Sequence, residues 1–312
     1  MSLSTAPHQT IALIATGGTI ACTTNAAVEL VPTVTGQDLA ACLASAANIE
    51  VIEFRQLDSS DISLADLDAL RAVVAQQLRR PDISGVLITH GTDSMEETAF
   101  ALDIFHGSDK PIVLTGAQRA FDHPKGDGPG NLCDAVGLMR RQPAGVYIQF
   151  GGVSVRARGA RKRHTSSLVA FEAMAVSPGL PGVFPLPAAS LAAHPVAIIA
   201  AYPGAEATLV DVASAHFPGI VIEALGSGNM STAMGQAVER ALDRGVAVVI
   251  CTRAPYGATA MVYGGDGGGA RLNAKGAVSA GEFRPGQARI LLSAALASGV
   301  PVSEAFATAP AF

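Results

Sequence analysis

The chain has 312 residues, enough for about two domains of ~150 residues and for a core that needs no disulfide or metal to hold it. Hydrophobic residues make up 49% and charged residues 15%, which excludes a disordered chain, and a formal charge of -5 argues against a nucleic-acid partner. The mean hydropathy of +0.36 comes mostly from Ala and Val in short runs, none near the ~20 apolar residues of a spanning helix, so no membrane partner is expected.

The first residues carry neither a basic region nor an apolar stretch with a small-residue cleavage site, so no signal peptide is expected and the cytoplasm is the default location. Residues 10–15 (TIALIA) read as a strand ending at Gly17-Gly18. A helix is predicted over 35–47 and a strand over 50–55. Residues 63–78 place Leu64, Leu67, Leu70, Val74 and Leu78 at helical spacing. A strand at 85–89 leads into another helix, where Ser94 and Glu97 have the spacing of a capping box. A strand at 111–115, a helix at 131–141 and a strand at 146–150 repeat the cycle. Continuous apolar strands between helices predict a mostly parallel sheet covered on both faces.

Pro178, Pro181, Pro185, Pro187 and Pro195 then interrupt the pattern, since proline breaks helices and central strands alike. The expected organisation is an α/β fold. A larger N-terminal domain (1–180) flanks its sheet with helices, a Pro-rich linker follows (181–195), and a smaller C-terminal α/β domain (196–312) ends the chain. In the latter, strands are predicted at 196–202, 220–224 and 246–252, and helices at 209–215, 230–244 and 287–298. The glycine-rich patch at 264–270 reads as a loop tip or turn.

Ligands of open α/β sheets sit beyond the carboxyl ends of the strands. Four such ends carry Thr16 to Thr19, Asp58 to Asp61, Thr89 to Asp93 and Thr115 to Gln118. Their hydroxyls, glycines and carboxylates suit a small ligand rich in hydrogen bonds. Thr19 and Thr92 each follow a glycine, where a substrate can approach backbone N–H groups. A threonine hydroxyl attacks well only when a neighbour takes its proton, and a lysine is the better acceptor; Lys110, Lys125, Lys162 and Lys275 are the choices. Each group also fits a plain role: a turn or cap hydroxyl for the threonines, caps for Ser59, Asp61, Asp93 and Ser94, a solvated charge for a lysine. Cys22, Cys42, Cys133 and Cys251 form no C-x-x-C pair and the histidines are dispersed, so no metal and no cofactor are expected. Gly226-Ser227-Gly228-Asn229 resembles a dinucleotide fingerprint, but the next strand ends in Thr252-Arg253 with no acid for a ribose.

Residues 15–21 (ATGGTIA) and 89–99 (THGTDSMEETA) resemble the two signature motifs of the bacterial-type L-asparaginases. The likeness extends to Asp58-Ser59-Ser60-Asp61, to residues 115–119 (TGAQR), to residues 127–132 (DGPGNL) and to the Gly226–Asn229 turn, so it spans nearly the whole chain. The resemblance implies hydrolysis of asparagine to aspartate and ammonia. It places Thr19 as nucleophile in a mobile lid, and Thr92, Asp93 and Lys162 as a relay in which lysine accepts the threonine proton. Ser59 and Asp93 would hold the α-amino and α-carboxyl groups, the backbone near Gly91 to Asp93 and Ala117 would face the amide oxygen, and Gly18, Ser60 and Asn229 complete the set. It also implies a homodimer or homotetramer with sites shared between chains.

Two departures stand out. Residues 28–33 (VELVPT) lack the lid tyrosine common in the family, and the segment after residues 253–257 (RAPYG) lacks the usual glutamate. Tyr263 lies close to that glutamate's position and is expected to supply a phenol near Thr19. Residues 19–31 are expected to form the lid. Two alternatives remain open: a glutaminase or an amidase for a larger amide, and a binding protein without turnover.

Overall fold

A strand with both faces covered needs apolar residues at consecutive positions, and Ala12, Leu13 and Ile14 are all fully buried. They lie in the first strand of a computed structural model that describes residues 10–43, 46–142, 144–174 and 184–307. The chain divides into two compact units, one running through Ala173 and one from Met174. Of the Pro-rich stretch, residues 175–183 lie outside the described residues, and the remainder holds one short turn of helix, Leu191–Ala193.

The first unit begins with β1 (Thr10–Gly17), a hairpin of β2 (Cys22–Thr24) and β3 (Leu30–Pro32), α1 (Gly36–Ala41), β4 (Asn48–Leu57) and α2 (Leu64–Leu78). It continues with β5 (Ile83–Thr89), α3 (Met95–Asp103), β6 (Pro111–Thr115), α4 (Gly128–Met139), β7 (Gly145–Phe150) and β8 (Val153–Arg156), and ends in a hairpin of β9 (Ala160–Lys162) and β10 (Phe171–Ala173). Six strands form one sheet in the order β4-β1-β5-β6-β7-β8, all pairings parallel except β7 with β8. The order turns back at β1, which pairs with β4 on one side and β5 on the other, so the switch point lies at the ends of β1 and β5. On one face Ile14, Ile88, Leu114 and Ile148 pack with Leu70, Val74 and Ala99; on the other Leu13, Leu87 and Val113 pack with Leu39, Leu132 and Val136.

Local chemistry explains where the helices start. Ser63 caps α2 through a reciprocal capping box with Asp66, and Thr35 caps α1 through one with Asp38. Of the helix predicted over 35–47, residues 44–45 lie outside the described residues, and the described helix is Gly36–Ala41. The capping box predicted for Ser94 and Glu97 does not form. Instead the Ser94 hydroxyl donates to the Ser59 carbonyl at 2.5 Å.

The second unit runs β11 (Val196–Ala200), α5 (Thr208–His216), β12 (Gly219–Ala224), α6 (Thr232–Asp243), β13 (Ala247–Thr252), α7 (Gly269–Ala274), β14 (Val278–Ser279), α8 (Pro285–Ser298) and α9 (Val302–Ala305). Its four strands pair in parallel in that order. Ile220, Ile222, Val248 and Ile250 pack with Met234 and Val238 of α6. The glycine patch is a turn, as expected, open at exposed Gly264 and Gly265 and crowded from Gly267 on. A Cβ on Gly267 would lie 2.2 Å from the Met230 carbonyl oxygen, and one on Gly268 2.2 Å from that of Gly264, while Gly269 already begins α7. Among the described residues no helix is long and apolar enough to cross a membrane.

An aromatic contact seats the β9–β10 hairpin on the sheet. Phe171 is buried and meets Phe150 of β7 edge to face, ring centroids 5.3 Å apart. Phe171→Ala should therefore cost about 3–5 kcal/mol of stability in urea denaturation. An exposed control such as Val169→Ala (Val169 is 40% exposed) should stay within about 0.5 kcal/mol.

Candidate active site

The ends of β1 and β5 meet backbone to backbone. Gly17 and Gly18 have φ of 96° and 81°, and a Cβ on Gly18 would lie 2.4 Å from the Gly91 nitrogen. No other residue type fits there, and this contact brings the Thr19 turn beside the segment from Thr89 to Asp93. The Thr16 hydroxyl ties the same two strand ends by donating to the Thr89 carbonyl at 2.8 Å.

Ser59 sits in a short helical turn, Ser59–Asp61, after β4. Its buried hydroxyl accepts from the Asp93 N–H at 3.1 Å. That leaves the hydroxyl hydrogen free to donate to a ligand. A Cβ on Gly91 would lie 2.5 Å from the Ser59 oxygen, so Gly91 is also a position of forced close approach. Ser60 follows Ser59 and is exposed.

Lys162 enters from β9. Its Nζ donates to Thr92 Oγ1 at 2.9 Å and to Asp93 Oδ1 at 2.7 Å. The Lys162 and Thr92 side chains are largely enclosed, whereas the Asp93 side chain is 69% exposed. Asp93 thus holds the lysine with one oxygen and turns its other outward. The backbone N–H of Lys162 donates to Glu96 of α3. Burial pushes the Glu96 carboxyl up to about 7, against the pull of the Lys162 N–H.

Residues beneath the cluster hold its backbone in place. His90 is fully buried, and its Nδ1 donates to the Gly91 carbonyl at 2.7 Å, which sets the tautomer because a carbonyl only accepts. Burial lowers its pKa to about 4, so the ring is neutral at pH 7. Asn131 of α4 donates to the Gly116 carbonyl at 2.9 Å and accepts from the Gly151 N–H at 3.0 Å. Asp127 takes the N–H groups of Gln118 and Arg119, each at 2.9 Å, which shapes the turn after buried Ala117.

Thr19 lies in the turn Thr19–Ala21 ahead of the β2–β3 hairpin, and no hydrogen bond of its hydroxyl is found among the described residues. The hairpin is tied to the body of the unit where the Phe121 N–H donates to the Cys22 carbonyl at 2.8 Å. Its tip carries Val28 at a φ of 63°, strongly exposed.

Thus Gly18, Ser59, Gly91, Thr92, Asp93 and Lys162 come together within the first unit, with Thr19 beside them and Ala117 on the adjacent strand end. Asn229 and Tyr263 belong to the second unit. Asn229 closes a tight turn by pairing its backbone with Leu225, which accounts for the dinucleotide-like glycines. Tyr263 has a side chain 59% exposed. Sequence reasoning passed over Glu96 and His90. Glu96 reads as an ordinary first-turn acid, and its partner is 66 positions away. His90 reads as a strand-end polar residue, and only full burial marks it. Among the described residues, no three or more His, Cys, Asp or Glu cluster closely enough to hold a metal ion.

Two α/β units, one carrying a hydroxyl–lysine–carboxylate cluster at a sheet switch point, suit an enzyme that activates a hydroxyl, and the comparisons give the family. Residues 10–180 match the family model "Asparaginase, N-terminal" and residues 195–306 match "Glutaminase/Asparaginase C-terminal domain". A probable L-asparaginase of Deinococcus radiodurans is 33% identical across 90% of this chain and 91% of its own. A glutaminase-asparaginase of Acinetobacter glutaminasificans is 37% identical across 51% of this chain and 52% of its own. The crystal structure of a probable cytoplasmic L-asparaginase from Campylobacter jejuni superposes with a TM-score of 0.80 at 26% identity, covering 96% of this chain and 99% of that one. The chain belongs to the asparaginase family, whose members are enzymes.

The Gly18–Gly91 contact yields a direct prediction. Gly18→Ala adds a methyl into backbone at a positive φ and should cost more than about 2 kcal/mol in chemical denaturation. Gly130→Ala, where a Cβ meets nothing within 4 Å, should be neutral or slightly stabilising.

Proposed function

We propose that the protein hydrolyses the side-chain amide of L-asparagine to aspartate and ammonia, with a threonine hydroxyl as nucleophile. The observation that carries this reading is the Lys162 amine held between Thr92 Oγ1 and Asp93 Oδ1. An amine in its neutral form there accepts the threonine proton, and Asp93 keeps it in place.

Thr19 attacks the amide carbon and forms an ester; the C–N bond breaks and ammonia leaves with the proton relayed through Thr92 and Lys162. Water then cleaves the ester and restores the hydroxyl. Backbone N–H groups between Gly91 and Asp93, and at Ala117, face the developing oxyanion. The free Asp93 oxygen suits the substrate's α-ammonium group, and the Ser59 hydroxyl hydrogen suits its α-carboxylate. Ser60 and Gly18 shape the rim. The β2–β3 hairpin closes over the substrate as a lid. A second assignment, with Thr92 as nucleophile, draws on its being the hydroxyl that Lys162 touches.

Thr19 needs a hydrogen-bond partner. In this reading Tyr263 of a second copy supplies the phenol in an assembled dimer or tetramer, with Asn229 contributing to the same face. Glutamine is the competing substrate, in keeping with relatives named for both activities. The solved neighbour described as a probable cytoplasmic L-asparaginase supports a cytoplasmic location.

The test is ammonia release from L-asparagine and L-glutamine. Wild type should favour asparagine, Thr92→Val and Lys162→Met should each lose at least about 10³-fold in kcat/KM while staying folded, and Tyr263→Phe should lose about tenfold or more. Binding of aspartate without any ammonia release would make the protein a binder. Full activity in Lys162→Met would remove the relay, and full activity in Tyr263→Phe would remove the phenol.

A further inference from the structure

The catalytic amine sits on a strand of only three residues, whose one ladder partner among the described residues is the equally short β10. Phe171 anchors that hairpin from its far strand, opposite Lys162 in the register. The side of β9 that faces α3 needs its own anchor, and Glu96 is there. Its Oε2 takes the backbone N–H of Lys162 itself, three residues after Asp93, which takes the same residue's amine. Backbone and side chain of Lys162 are therefore both held by carboxylates of one short segment, Asp93 ahead of α3 and Glu96 in its first turn.

We infer that Glu96 is a positioning residue that locks β9 against α3 and so holds the Lys162 amine within reach of Thr92. This rests on the proposed role of Lys162. A misplacement of about 1 Å in such an amine costs on the order of 10²-fold in rate. A local consequence follows from burial, which raises the Glu96 carboxyl to about 7. The charged groups acting on it are Glu97 on its own helix and Arg161 and Lys162 on β9; Arg161 is itself engaged by Glu172 of β10. The ionised carboxylate grips the Lys162 N–H more strongly than the neutral acid does. Turnover should rise as pH passes through about 7. Fold stability should run the other way. Because the folded pKa lies above the unfolded one, the protonated group stabilises the fold at low pH, and that contribution is lost as pH rises through about 7.

Glu96→Gln tests this, since it keeps an acceptor oxygen and removes the titration. It should lower kcat at pH 8 by about tenfold with KM within about twofold, and flatten the acid limb near pH 7. Its Tm should gain on wild type between pH 5 and pH 8, so activity falls where stability improves, which a merely structural role would not produce. The Lys162 backbone amide, followed by NMR, should titrate near pH 7 in wild type and not in the variant, whatever the activity. A Glu96→Gln enzyme with wild-type kcat and pH profile would overturn the inference, as would a loss of activity that only tracks the unfolded fraction by circular dichroism. If Lys162→Met is inactive while Glu96→Gln behaves as wild type, only this inference fails; if Lys162→Met is active, the proposed relay fails first.

Discussion

The Lys162 amine donates to a threonine and an aspartate that are adjacent in sequence, from a strand 70 positions downstream of that threonine. Satisfying that contact requires most of the first unit. β5 must end at the switch point, so that Thr92 and Asp93 lie beyond the sheet. β7 must present Phe150, so that Phe171 can seat the β9–β10 hairpin. Glycines must stand at 18 and 91, because any side chain there would collide with the neighbouring strand end or with Ser59. Each is an ordinary packing rule, and together they bring four strand ends and one hairpin to a single edge.

The alternation of strand and helix was legible because both faces of the first sheet are covered, which turns strands such as β1 and β5 into plain apolar runs. Gly17 and Gly18 marked the end of β1, and the structure shows why only glycine serves there. Short elements were less legible. β8, β9, β10, β14 and α7 carry too few residues for a period to emerge, and β9 holds the residue on which the site turns. Helix α1 was overextended in the sequence, because its Ala-rich continuation has high helix propensity.

The site divides along the same line. Thr19, Ser59, Thr92 and Asp93 follow apolar runs, so strand ends point to them without any structure. Lys162 follows no such run; a family likeness singled it out, and the register of Phe171 opposite Lys162 now gives that choice a physical basis. Ser94 shows how a local signal can mislead. Its spacing to Glu97 matches a capping box, yet the buried Ser59 carbonyl needs a donor and takes its hydroxyl. Glu96 and His90 act through backbone atoms of other residues, which no one-dimensional pattern records.

The chemistry proposed for the site requires Thr92 and Lys162 to act as one unit. The most direct measurement is a double-mutant cycle on kcat/KM for asparagine with Thr92→Val, Lys162→Met and the pair. If they form one relay, the double variant should be within a few-fold of either single, since removing one partner already removes the function of the other. If the two losses multiply, the residues contribute independently, and the contact at 2.9 Å is a structural bond with no shared part in the chemistry.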